Sequence, residues 1–269
     1  MMTPLDYARA ACDTLMRRYA APDLPPKPQF HYHQGVFLSG MHETYQLCQE
    51  EKYFQYMKDW IDSAFNPDGS IVYCHFGNVD DIMPGILLFP ILDRTNDEFY
   101  LKCLASVWEE VEAIPVNPEG GFWHGVDCTD QMWLDGLYMS GPFITEYAKR
   151  FNKPEWADKV VMNALMMRNK LHDPRTGLLY HAWDGAGLKS WADKFHRRSP
   201  EFWGRSMGWV PVALLNDLDH LPEDIIGREE VVHMCTDLLK ALCRYQSEDG
   251  RWYHYTGSNA DILADTWHT

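Results

Sequence analysis

A short pattern recurs along this chain and dictates helices in pairs. Gly120 leads into Gly121, Phe122, Trp123 and His124; Gly177 into Leu178, Leu179, Tyr180 and His181; Gly250 into Arg251, Trp252, Tyr253 and His254. Asp68-Gly69, leading to Tyr73 and His75, is a looser copy. Turn chemistry such as Asn66-Pro67-Asp68-Gly69, Asn117-Pro118-Glu119-Gly120-Gly121 and Asp173-Pro174-Arg175-Thr176-Gly177 closes the helix-period runs ahead of these segments. Those runs, at 51–65, 97–114, 155–171 and 228–246, are uninterrupted and amphipathic. They alternate with runs broken by Gly or Pro: 34–50 (Gly35, Gly40), 80–95 (Pro84, Gly85, Pro90), one starting near Asp130 (Gly136, Gly141, Pro142) and 201–218 (Gly204, Gly208, Pro211). A first amphipathic helix over residues 1–19, without the apolar core of a signal peptide, precedes a Pro-rich connector at 21–28.

Interior Gly costs a helix about 1 kcal/mol and interior Pro about 3 kcal/mol. A helix buried on all sides can offset that, because missing side chains let neighbours and ligands approach its backbone. Helical hairpins repeating every roughly 50 to 70 residues place such helices in an inner ring, covered by the clean amphipathic ones. The expected fold is all-α: an α/α toroid of helical hairpins, of the six-hairpin barrel type, forming one domain over residues 1–269. The last residues, Ala264 to Thr269, fall where another inner helix is expected, so the barrel reads as incomplete at its C-terminal side. An open edge exposes apolar faces, and a homo-oligomer covering it is the expected partner.

Lys plus Arg number 24 and Asp plus Glu 39, a net charge of −15, which argues against nucleic acid and anionic membranes. The seven cysteines are an odd number without CxxC spacing, which suits reduced thiols, a cytoplasmic location and no zinc framework. No apolar run approaches the length of a membrane span. HExxH, GxSxG, P-loop and GxGxxG motifs are lacking, so no metal or nucleotide cofactor is expected.

Every aromatic-His segment runs into an interrupted helix, so the chemistry-bearing residues collect at one mouth of the inner ring. Those are Asp80, Asp81, Trp123, His124, Asp135, His181, Trp203, Arg205 and Trp209. Asp135, expected one turn inside its helix and sharing the face of Met132 and Met139, reads either as an acid or as a hydrogen-bonded core residue. Asp80 or Asp81 reads equally as a helix cap. Arg205 between aromatics needs an anionic partner, which could be Asp80, Asp135 or a ligand carboxylate. A polar, aromatic-lined pocket accounts for the set together.

Four motifs in order, the Asp80-Asp81 helix running into GILLFPILDRT, GGFWH at 120–124, MWLDGLYMSGPF at 132–143 and FWGRSMGWV at 202–210, resemble the unsaturated rhamnogalacturonyl hydrolases. These are bacterial glycoside hydrolases related to the unsaturated glucuronyl hydrolases, and the resemblance spans about residues 6 to 252. It implies Asp135 as general acid/base and Asp80 as the second active-site Asp, with Asp81 taking that place if the register slips by one. It places substrate-binding groups at His124, Trp133, His181, Trp203, Arg205 and Trp209. The implied substrate is a small oligosaccharide from pectin-degrading lyases, ending in a uronic acid with a C4=C5 double bond. The implied reaction is hydration of that vinyl ether: Asp135 protonates C4, water adds at C5, and the hemiketal opens to release the next sugar. No metal or organic cofactor is implied. An unsaturated glucuronyl hydrolase, an inverting glycosidase with two carboxylates across the anomeric centre and a truncated, non-catalytic sugar-binding protein are the alternatives.

Overall fold

The computed structural model describes residues 2–27 and 30–256 of the 269-residue chain, so the inner helix expected at residues 264–269 lies outside the described residues. The chain divides into two compact units, Met1–Ala113 and Ile114–Thr269. Both are helical, as the sequence predicts.

In the first unit, α1 (Pro4–Arg18) starts on a capping box between Thr3 and Asp6. It is followed by α2 (Tyr32–Cys48), α3 (Glu51–Ala64), α4 (Leu88–Thr95) and α5 (Glu98–Glu112). The helix expected over 80–95 is shorter than its sequence pattern. Residues Val79–Asp81 and Met83–Leu87 form 3₁₀ turns, and α-helix begins only at Leu88. Pro84 lacks the N–H that would continue an α-helical ladder, which suits it to the opening of a tighter turn. Gly35 of α2 packs directly on this segment: a Cβ there would stand 2.5 Å from Met83 Sδ and 3.0 Å from Pro84 Cα.

In the second unit come β1 (Gln131–Trp133), α6 (Asp135–Arg150), α7 (Pro154–Leu171), β2 (Ala182–Asp184), α8 (Gly204–His220) and α9 (Arg228–Arg244). The two short strands pair antiparallel, Trp133 opposite Ala182 and Gln131 opposite Asp184. The expected helix start near Asp130 is corrected here. Asp130 takes a left-handed φ of 53°, residues 131–133 are extended, and Asp135 opens α6 instead of lying one turn within it. The expected start of α8 at residue 201 moves to Gly204, because Trp203 is bridged to Tyr255 as extended chain.

The core of this unit shows why α6 tolerates Gly141 and Pro142. Leu137, Met139, Phe143 and Ile144 are buried, each stabilising by roughly 1.5–3 kcal/mol. A Cβ on Gly141 would meet both carboxylate oxygens of Asp217 at 2.9 Å, so the glycine allows α8 to approach. Asp217 is fully buried, and burial raises its carboxyl far above the ordinary range despite the Thr145 hydroxyl that donates to it at 3.4 Å.

The repeated turns share one construction. Gly69, Gly120, Gly177 and Gly250 all have φ between 76° and 91°, where a side chain is strained. Each donates its N–H back across the turn: to Asn66 O, Asn117 O, Asp173 O and Ser247 O at 2.8–2.9 Å. Antiparallel bridges follow, Phe65 to Ile71, Val116 to Phe122 and His172 to Leu179. These are the short strand-like pieces legible beside the turns.

Candidate active site

In the second unit the histidine of each turn segment ends up beside an indole of the next. His124 stacks on Trp133, ring centres 4.4 Å apart at 12°, and Trp133 lies 5.4 Å from His181. His181 meets Trp203 edge-on at 4.8 Å. The Trp203 indole N–H donates to His254 Nδ1 at 3.4 Å. Backbone bonds set this order: His124 N–H to Gln131 O at 2.8 Å, Leu134 N–H to His181 O at 2.9 Å and Gly204 N–H to His254 O at 2.7 Å. Gly204 is essential to the last contact, since a Cβ there would stand 2.7 Å from Tyr253 O. Gly204→Ala should therefore destabilise the protein by about 1–3 kcal/mol, as overpacking against backbone does. An unchanged melting temperature in thermal unfolding would disprove this close approach.

Asp135, at the start of α6, is 6% exposed. Its Oδ2 faces His181 Nδ1 at 3.3 Å without the alignment of a hydrogen bond. Burial pushes the Asp135 carboxyl up to about 6, against a lowering by the Arg205 charge. Burial, reinforced by Arg205, pushes His181 down to about 4. Burial, reinforced by His181, pushes His124 down to about 3. Near pH 6, then, a half-protonated carboxyl faces a neutral imidazole. The Arg205 guanidinium lies over the Trp203 ring at 4.1 Å, and Trp209 stacks on Tyr138 at 4.8 Å. Asp135 Oδ2, His181 Nδ1, Arg205 Nε and Trp209 Nε1 are all buried without a hydrogen-bond partner among the described residues. Buried polar atoms are nearly always satisfied, and an Asp135 oxygen and three neighbouring groups that are not make this the candidate site for a polar ligand.

The first unit holds the other carboxylates. Asn78, not either aspartate, caps the 3₁₀ turn Val79–Asp81, accepting from Asp80 N–H at 3.0 Å; this corrects the capping reading. Asp81 is 1% exposed, and its Oδ2 accepts from the His75 backbone N–H and lies 3.2 Å from His75 Nδ1. Burial raises its carboxyl even so. Asp80 keeps 18% of its side chain exposed, with Oδ2 at 3.8 Å from His31 Nε2. The loop carrying His75 is fixed by Glu110 of α5, whose carboxylate accepts from Gly77 N–H at 2.9 Å and from the Cys74 thiol at 3.5 Å.

Of the residues singled out in the sequence, His124, Trp133, Asp135, His181, Trp203, Arg205 and Trp209 come together in the second unit. Asp80 and Asp81 come together with His31 and His75 in the first. Sequence reasoning missed Tyr138, His31 and the coupling of His254 to Trp203; the repeated Trp/Tyr-His pattern was the available signal for His254. All seven cysteines are free, and among the described residues no cluster of three or more His, Cys, Asp or Glu could hold a metal. No helix of the described residues is long and apolar enough to cross a membrane.

The chain is similar to the unsaturated rhamnogalacturonyl hydrolase YesR of Bacillus subtilis, 26% identical over 225 residues, covering 81% of this chain and 62% of that protein. It is 30% identical over 126 residues to an unsaturated 3S-rhamnoglycuronyl hydrolase of Formosa agariphila, covering 45% of this chain and 32% of the other. It therefore spans less than two thirds of the length of either relative. Among solved structures, a glycoside hydrolase from family 105 of C. acetobutylicum is similar with a TM-score of 0.86 and 28% identity, over 93% of this chain and 69% of that one. The fold class is thus the α/α toroid of these hydrolases, as the hairpin repeat predicts. Residues 7–262 match the model of Glycosyl Hydrolase Family 88, and the chain belongs to that family.

Proposed function

We propose that the protein is a glycoside hydrolase that releases a 4,5-unsaturated uronic acid from a small oligosaccharide by hydrating its vinyl ether. The observation that carries this is Asp135: a buried carboxyl that keeps its proton close to neutral pH, among unpartnered donors and indoles. Protonating an alkene carbon needs an acid that is still protonated at the working pH yet strong enough to let go, and a carboxyl near 6 meets both needs. In this reading Asp135 gives its proton to C4 while positive charge grows on C5 and the ring oxygen. Water attacks C5 and loses a proton to the Asp135 carboxylate, which restores the acid. The hemiketal at C5 then opens and the neighbouring sugar leaves. The Arg205 guanidinium holds the substrate's carboxylate, and the neutral imidazoles of His181 and His124 accept from or donate to sugar hydroxyls. Trp133, Trp203 and Trp209 supply apolar faces for the ring.

Asp80 is the better second active-site aspartate of its pair. Asp81 is buried with its Oδ2 held by His75, whereas Asp80 keeps 18% of its side chain exposed. The whole chain acting as one domain, with a pectin-derived rhamnogalacturonan disaccharide as substrate, completes the reading. It is supported by the likeness to YesR and by the four sequence motifs.

The test is loss of the vinyl-ether ultraviolet absorbance on mixing the protein with unsaturated rhamnogalacturonan and glycosaminoglycan disaccharides. Turnover of the first and not the second fixes the sugar after the uronide. The rate should fall with a midpoint near pH 6 as the medium becomes alkaline, because Asp135 then loses its proton. Hydrolysis of saturated glycosides with no absorbance change would replace hydration by displacement at the anomeric carbon.

A further inference from the structure

Between β2 and the Trp203 segment the second unit carries a loop, residues 185–198, whose charge is opposite to that of the chain. Against a net charge of −15, it holds Lys189, Lys194, Arg197 and Arg198 and a single acid, Asp193. The two arginines are spent internally. Arg197 donates to Gly185 O, and Arg198 lies over the Tyr180 ring at 5.6 Å and donates to His172 O at 3.4 Å. Lys189 and Lys194 are exposed and form no ion pair among the described residues. Beside them, Phe195 is 91% exposed and Leu188 77%.

The loop is built to present these groups. The Asp193 carboxylate accepts from Phe195, His196 and Arg198 N–H at 3.0, 2.6 and 2.9 Å. Asp184 N–H donates to Arg197 O, and Ser199 N–H to Ala182 O, each at 2.9 Å. Lys189 N–H donates to Asp184 Oδ2 at 2.6 Å. The position matters as much as the charge. The loop leaves β2 three residues after His181 and returns four residues before Trp203, so both of its ends are tied to the pocket wall. Strand β1 pairs antiparallel with β2, so at about 3.3 Å per residue the base of the loop lies roughly 10 Å from His181, beside Gln131 and Asp130 and away from the start of α6.

We infer that loop 185–198 is a subsite for the continuation of an acidic oligosaccharide, with Lys189 and Lys194 meeting a second uronate beyond the scissile bond and Phe195 stacking on its sugar ring. This rests on the reading of the pocket as an unsaturated-uronide site and extends it from a disaccharide to a longer polyuronate fragment. Two unpaired ammonium groups beside a bare aromatic face fit a carboxylated pyranose, which offers one anionic edge and one apolar face.

Calorimetric titration of the whole chain with trigalacturonate and with its carboxyl-reduced counterpart tests this. Wild type should bind the acidic trimer more tightly. The double variant Lys189→Glu/Lys194→Glu should weaken that binding by about 10-fold, a modest loss because exposed ion pairs are individually weak, and leave the reduced trimer unchanged. Phe195→Ala should weaken both probes. In 1 M salt, where the screening length is about 3 Å, the preference should vanish. Turnover of the unsaturated disaccharide should be unaltered by the double variant. Equal affinity for the two trimers, or an unchanged affinity of the double variant for the acidic trimer, overturns the subsite. Loss of acidic-trimer binding in the double variant, with no vinyl-ether turnover in wild type, upholds the loop and removes the pocket reading instead.

Discussion

Replacing Asp135 by Asn is expected to lower kcat for vinyl-ether hydration by about 10³-fold or more while making the folded protein more stable at alkaline pH. The loss of rate follows from removing the proton donor, since general acid–base catalysis contributes about 10²–10⁴-fold. The gain in stability follows from linkage. The carboxyl is raised to about 6 in the folded protein from an ordinary 3.8, with burial the largest cause. Its favourable contribution is complete below about pH 4 and is lost as pH rises through about 6, where ionising it in place costs on the order of 3 kcal/mol. Asn has no charge to form. The variant and wild type should therefore melt together at pH 4, and the variant several degrees higher at pH 8. Unaltered kcat would take Asp135 out of the mechanism, and a lower melting temperature at pH 8 would show that its carboxylate is a structural anchor.

Arg205→Ala should raise KM for the unsaturated disaccharide by about 30-fold or more, because truncating one member of a desolvated charge pair costs about 2–5 kcal/mol. Its effect on folding should be smaller, since the guanidinium gives up a cation–π contact with Trp203 worth about 0.5–2 kcal/mol. A second readout separates the role of its charge from that of its bulk. The Arg205 charge lowers the Asp135 carboxyl, so its removal should carry the alkaline limb of the pH–rate profile to higher pH, and Arg205→Lys should return it. A melting-temperature loss with KM and the pH profile unchanged would reassign Arg205 to structure.

Most of this molecule can be read from its sequence because its regularities are local. Gly69, Gly120, Gly177 and Gly250 announce turns that need φ > 0, and the alternation of clean and interrupted runs sorts the helices before any contact is known. The failures are where distant segments decide. The helical period around Asp135 is good enough to suggest a start near residue 130. Pairing of Gln131 with Asp184, more than fifty residues on, makes the first part extended and moves Asp135 to the helix origin. Asp80 and Asp81 have the same chemistry and neighbouring numbers. Only the fold reveals that His75, held by a loop that Glu110 fixes, binds Oδ2 of the buried Asp81, while the Asp80 side chain stays partly exposed. Loop 185–198 has no periodicity at all, and its turn depends on one side chain, Asp193, accepting three backbone hydrogens.

The displacement of Asp135 to the first position of α6 has a consequence for the second half of the proposed hydration cycle. Sixteen residues of aligned peptide units stand behind that carboxyl, equivalent to roughly half a positive charge at the helix origin. Before the proton leaves, the dry surroundings favour the neutral acid. Once it has left, the macrodipole would, in the proposed mechanism, support the anion until the incoming water supplies a proton to restore it. The same origin, moved one turn toward the middle of the helix, would lose that support, because the field fades within the first turn.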